Sequence, residues 1–363
     1  MVRRTSRNQP LDVLRGIAIL LVLGYHYDYF TLWSRAGWAG VDLFFVLSGF
    51  LISGLLFSEY QRTGRIDTVR FLVRRGFKIY PAFYVLMAVT AAHWIFFRGR
   101  VPVKKFLASL FFLQDYLPHV WGHGWSLAVE EHFYLLLPLL LLLMIARSGN
   151  RRNPFAGIPW TFAVLAVGCL AFRVVAFLRG DPLSSIQLPT HTRMDSLFAG
   201  VTLGYYRHFH PDLFARMAQK AWWLLGLVLL IPALVFPLES PFMETIGFTL
   251  LYLGFGCLLV RAVDRRPSRG LGPRALAWTG RYSYSIYLWH LPLVVTLFTG
   301  PANFFSFLLY LAVSIALGAA MSRLIEFPLL KLRDRWFPPR TTQPPDTAAA
   351  DRLEPAAEAA MGR

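Results

Sequence analysis

Arg15 and His26 lie in the stretch LDVLRGIAILLVLGYH, eleven residues apart within an otherwise apolar run. Eleven helical steps of about 100° return to within roughly 20° of the start, so both side chains share one face, separated along the axis by roughly 16 Å. Hydrocarbon solvates neither group, so an ionisable residue in such a helix faces a protein interior or a wet cavity. Imidazole there can serve as a general base, whereas the arginine can grip an anion or snorkel to the nearer membrane surface. Asp42 opens the next apolar run, and a tight hairpin near Ser34 brings it to about the depth of His26. A carboxylate in that place can orient the imidazole or cap its own helix.

The stretch RFLVRRGFKIYP carries Arg70, Arg74, Arg75 and Lys78 at the entrance to a third apolar run. Such a cluster reports membrane orientation and also makes a site for phosphates. Arg15 belongs to this basic level. One helical face therefore offers an anion site below and acid–base chemistry above. A coenzyme A thioester has that polarity: phosphates, a thin arm, then a reactive acyl group. In WSLAVEEHFYL, Glu130 and Glu131 point about 100° apart, so one of them faces the cavity. Glu130 shares a face with Ser126 and Phe133, and its expected depth is that of His26, as proton acceptor or partner. Arg193 and Asp195 open the short sixth span, in a structural or a functional role, and His290 sits beside a proline in YSIYLWHLP, as a polar link between helices or a cavity residue. Glu326 is expected to pair with a cytoplasmic arginine.

Two other patterns carry less. Asp115, His119, His123 and His132 are interrupted by Pro118, Gly122 and Gly124, which breaks ligand spacing, and no metal is expected. Ser48, Gly49, Ser53 and Gly54 suit close helix packing better than nucleophilic chemistry.

The elements that must position these groups are membrane helices. The 363 residues are 56% hydrophobic and 16% aromatic, too apolar for a soluble domain. Ten spans are expected near residues 11–29, 38–57, 77–97, 126–146, 158–178, 194–208, 221–238, 243–262, 282–299 and 304–325. FLASLFFL, at 106–113, is too brief to cross. The net charge of +17 gathers in alternate loops, which excludes nucleic acid as its reason and puts both termini in the cytoplasm. The opposite loops hold chiefly Arg98, Arg100, Lys104 and Lys105, and a group of Arg173, Arg179 and Arg193. Cys169 and Cys257 lie in apolar runs and support neither a disulfide framework nor a metal site. Residues 1–337 form one membrane domain, and 338–363, rich in Pro, Ala and charge, read as a disordered cytoplasmic tail.

Seven stretches in order, LDVLRGIAILLVLGYH, GVDLFFVLSGFLISG, FLVRRGFKIYPAFY, WSLAVEEHFYLLLP, RMDSLFAG, GRYSYSIYLWHLP and SRLIEFPL, resemble acyltransferase family 3. The resemblance implies an all-α polytopic protein of the bacterial plasma membrane, with about ten helices around a central acyl-CoA tunnel. It implies transfer of an acyl group, chiefly acetyl, from acyl-CoA to a hydroxyl of a carbohydrate, lipid-linked sugar or glycosylated small molecule, with no tightly bound cofactor. By the same resemblance Arg15 and His26 match the family's active pair, and Arg74, Arg75 and Lys78 its basic motif, with lysine where arginine is usual. Lysine keeps the charge but loses the bidentate fork. The pattern also selects Glu130, and Asp12, Trp125, Ser126, Arg193, Asp195, Tyr284 and His290 are further candidates to line the cavity. Family members often continue into an extracytoplasmic hydrolase-like domain; without one, the membrane domain would complete the transfer or hand its product to another protein. The rival expectation is a transporter or flippase for a lipid-linked sugar or small molecule, since intramembrane charges also line substrate pathways.

Overall fold

With no water to satisfy backbone groups inside a bilayer, long runs of Leu, Val, Phe and Ala must close their hydrogen bonds within each segment. The computed structural model describes residues 8–27, 29 and 31–338, and all regular structure among them is helical. The first half comprises α1 (Gln9–Tyr27), α2 (Thr31–Ala36), α3 (Gly40–Thr63), α4 (Thr68–Arg98), α5 (Val103–Leu110), α6 (Trp125–Arg147), α7 (Ile158–Leu178) and α8 (Ser184–Gln187). The second comprises α9 (Thr190–Phe209), α10 (Pro211–Gln219), α11 (Trp222–Val235), α12 (Phe248–Val263), α13 (Leu271–Arg281), α14 (Ser283–Leu297), α15 (Phe304–Met321) and α16 (Phe327–Trp336). The tail expected over 338–363 lies, but for Pro338, outside the described residues.

Each expected span falls in a helix, yet only 7 helical stretches are long and apolar enough to cross a membrane, or 8 if α10 and α11, bent by 71°, count as one. Three of the ten expected spans, those in α9, α11 and α14, do not meet that length and composition by themselves. At 14 and 15 residues, α11 and α14 reach only about 21 and 22 Å at 1.5 Å per residue, short of a hydrocarbon core of about 30 Å. Polar residues in THTRMDS keep α9 from reading as apolar, and it survives because its surroundings are protein: it packs on α3, α7, α12 and α10. The molecule is a multi-pass membrane protein. FLASLFFL contributes to the short helix α5 and the turns after it.

The α3–α9 seam depends on reciprocal glycines. A Cβ on Gly49 would lie 1.8 Å from the Leu197 carbonyl oxygen, and one on Gly200 2.1 Å from that of Val46. Small residues let the two backbones touch, as the Ser48–Gly54 run led us to expect. Gly200→Val should therefore destabilise the protein by about 1–3 kcal/mol or more. Gly168→Ala, on α7 where an added Cβ meets nothing within 4 Å, should be tolerated. Thermal unfolding of detergent-purified variants checks this; equal melting of the two would refute the seam.

Candidate active site

His26 occupies the last turn of α1, where its Nδ1 lies 2.9 Å from the Val22 carbonyl oxygen. His290, on α14, holds its own Nδ1 2.6 Å from the Tyr287 carbonyl oxygen. A carbonyl only accepts, so both Nδ1 atoms carry hydrogen in these contacts. His290 Nε2 then presents a lone pair 3.4 Å from His26 Nδ1, and the rings meet edge to face at 4.8 Å. His26 Nε2 is left as the basic nitrogen. The His26 ring is thus anchored through Nδ1, which fixes its tautomer and leaves Nε2 available.

Two residues that sequence reasoning did not assign complete this cluster. His123 lies in the 3-10 turn Gly122–Gly124 ahead of α6, with its ring 5.2 Å from that of His290 and its Nε2 3.3 Å from the Leu288 carbonyl oxygen. Tyr287 donates to the His123 carbonyl at 2.7 Å, and its hydroxyl lies 2.6 Å from Ser126 Oγ. The i, i+3 spacing of Tyr287 and His290 was the available signal for one of them. His123 entered only among rejected metal ligands. Among the described residues no group of three His, Cys, Asp or Glu side chains could hold a metal ion.

Below the histidines, Arg15, Phe44, Phe45, Ser126, Glu130, Ser283, Tyr284 and Tyr287 line a cavity of about 70 Å³. Ser126 and Tyr287 link it to the histidine level. Glu130 faces this space, as its helical phase requires, while Glu131 turns away to accept from Tyr80 at 3.0 Å. The expected depth of Glu130 needs correction. Its carboxylate accepts from Tyr134, whose ring carries Arg75 at 4.3 Å, and the charges of Arg75 and Arg15 both act on it. Glu130 thus belongs to the basic level and is not a partner of His26 in this structure. Trp125, one residue before Ser126, is buried edge-on against Phe45 rather than lining the cavity.

Asp42 also requires correction. Its Oδ1 accepts from Arg193 at 2.7 Å and from Ser196 at 3.2 Å, so its helical face is turned to α9 and not to His26. Arg193 additionally lies over the Phe248 ring at 3.9 Å. Asp195 pairs with Arg173 at 2.9 Å, and Arg173 also donates to the Thr192 and Thr245 carbonyls and to Thr249 Oγ1. These four charges are almost wholly buried and tie α3, α7 and α9 together, with Arg173 also reaching toward α12. Arg193 and Asp195 line none of the cavity around Arg15. Asp12 is buried near the start of α1, where its carbonyl oxygen would meet a Cβ on Gly280 at 1.9 Å, a contact that seats α13 on α1.

The basic motif divides. Lys78 pairs with Glu326, whose other oxygen accepts from Ser285 at 3.0 Å and Ser322 at 3.2 Å, so the partner of Glu326 is this lysine and not an arginine. Lys78 also stands 5.3 Å over the ring of Tyr284, which donates to the Ile79 carbonyl at 2.6 Å. Arg74 pairs with Asp334 at 3.1 Å and with the Phe337 carbonyl, and Arg70 reaches the Pro338 carbonyl. Together these connect α4 to α16. A drug-sized ligand occupies roughly 300–1,000 Å³. The cavity around Arg15, at about 70 Å³, is smaller than that.

A family model described as an acyltransferase domain matches residues 8–323. The chain is 27% identical over 370 residues to a peptidoglycan O-acetyltransferase, OatA, of Listeria monocytogenes, with 91% of this chain and 58% of that protein covered. It is 28% identical over 353 residues to the O-acetyltransferase OatA of Staphylococcus aureus, covering 88% and 57% respectively. The chain thus spans little more than half the length of these relatives. No solved structure matches.

Proposed function

The chain belongs to acyltransferase family 3, and on that premise we propose that it is an O-acetyltransferase of the bacterial plasma membrane, moving acetyl from acetyl-CoA to a carbohydrate hydroxyl. The observation that carries the reading is the His26–His290 pair standing one helical face above Arg15 and its cavity. The Listeria relative is named for peptidoglycan, which supports an envelope glycan as acceptor. With the N-terminus cytoplasmic, as its cluster of arginines favours, the Arg74 end faces the cytoplasm and the His26 end the outer side.

In this mechanism the CoA phosphates dock on Arg70, Arg74 and Arg75, and the pantetheine arm passes Arg15 toward the histidines. Entry requires α1, α3, α6 and α14, which line the cavity of about 70 Å³, to part around the arm. His26 Nε2 takes the proton of the acceptor hydroxyl as its oxygen attacks the thioester carbonyl. Collapse of the tetrahedral adduct breaks the carbon–sulfur bond, and the thiolate recovers the proton from His26. Products are the ester and free CoA. The His290 lone pair facing His26 Nδ1–H favours the imidazolium that forms between these steps. Lys78, committed to Glu326, holds α4 against α14 and α15 rather than gripping a phosphate.

The basic mouth gives the test. Arg74→Gln should raise the KM for acetyl-CoA by about tenfold with kcat little changed, because a charge-assisted phosphate contact is lost while the reacting groups are untouched. Steady-state kinetics with purified protein measure it. An unchanged KM in both Arg74→Gln and Arg75→Gln would remove the donor from this entrance.

A further inference from the structure

One basic cluster has no explanation in orientation or in the donor site. Arg98, Arg100, Lys104 and Lys105 follow the end of α4 opposite Arg74, on the side that positive-inside topology keeps poor in cations. Arg98, Arg100 and Lys105 wall a cavity of about 720 Å³ together with Trp94 and His119. Arg98 lies 5.9 Å over Trp94, and none of the four cations has a carboxylate within ion-pair distance among the described residues. Exposed like charges held around one space repel each other unless an anion joins them.

His119 also borders a second cleft of about 580 Å³. Its wall is aromatic and ordered: Tyr116 stacks on His191 at 5.7 Å and 13°, their side chains are joined by a 3.0 Å hydrogen bond, and Phe172 meets His191 edge-on at 5.0 Å. Asp181 and Ser185 add polar groups to the same cleft. Gln114 lines this cleft and also a void of about 10 Å³ containing His123, which touches His290 and through it His26. The two clefts thus share His119, and the second shares Gln114 with the void beside His123, the nearest of these spaces to the His290–His26 pair.

We propose that these clefts receive the acceptor, and that it is an acidic carbohydrate: a carboxylate or phosphate on Arg98, Arg100 and Lys105, with a neighbouring sugar ring against Tyr116 and His191. The assignment rests on the acetyl-transfer reading and its orientation. Guanidinium forks match planar carboxylates and phosphates, and an aromatic face with flanking polar groups matches a ring that is apolar on its faces and hydroxylated at its edge. Anionic lipid headgroups present the same oxygen chemistry, so the test must separate the two sources.

The protein is placed in phosphatidylcholine nanodiscs and titrated calorimetrically with trigalacturonic acid and, separately, with neutral galactotriose. The acidic trimer should bind at least about tenfold more tightly. The triple variant R98E/R100E/K105E should lose that preference while binding labelled acetyl-CoA as before. Equal affinity for the two trimers, binding of neither, or a preference that survives charge reversal overturns the proposal. So does displacement of the acidic trimer by phosphatidylglycerol that copurifies with wild type and not with the variant, which makes the cavity a lipid site. Failure of wild type to bind acetyl-CoA is a separate outcome and overturns the acetyl-transfer reading itself.

Discussion

Replacing His26 with alanine should lower acetyl transfer by about 100- to 10,000-fold, the range over which a positioned proton acceptor contributes. The loss should fall on kcat, with acetyl-CoA binding retained, because Arg15, Arg74 and Arg75 are untouched. The fold should survive, since His26 at the last turn of α1 contacts the Val22 carbonyl and His290 and carries none of the buried ion pairs. Single-turnover kinetics and donor binding on the same purified sample check it. A His26→Ala protein that turns over normally would assign the base elsewhere.

Asp42→Ala should do the opposite: cost stability first and activity only as a consequence. Removing the carboxylate leaves the buried Arg193 guanidinium without its partner, and breaking such a pair costs about 3–5 kcal/mol. Replacing both members with apolar residues, Asp42→Leu with Arg193→Met, should recover much of that loss, since two costly desolvations disappear together. Thermal unfolding of the single and double variants gives the first readout, and turnover of the refitted double variant gives the second. Normal melting of Asp42→Ala combined with lost turnover would return Asp42 to the catalytic group.

Local geometry was legible in the sequence and long-range pairing was not. Helical phase put Arg15 and His26 on one face and separated Glu130 from Glu131, because both conclusions depend only on residues within a few turns. The packing role of Gly49 and Ser53 followed from residue size in the same way. Which helix each polar face meets is decided by the whole bundle. Asp42 and Arg193 are 151 positions apart, Lys78 and Glu326 are 248, and His26 and His290 are 264, so no local spacing announces them. Depth alone allows Asp42 either to orient His26 or to cap its own helix, because it leaves the rotation of α3 undetermined. The surroundings of α9 were hidden for a related reason: it is polar in sequence yet buried, because its neighbours supply the carboxylates, hydroxyls and carbonyls that lipid cannot.

The most direct measurement incubates detergent-purified protein with acetyl-CoA radiolabelled in the acetyl group and a mixture of envelope glycan fragments. Free thiol should appear together with label in an alkali-labile ester on the glycan, and both should depend on His26. An intact thioester in every condition, with labelled glycan instead carried across the membrane of reconstituted vesicles, would contradict acyl transfer and identify a transporter.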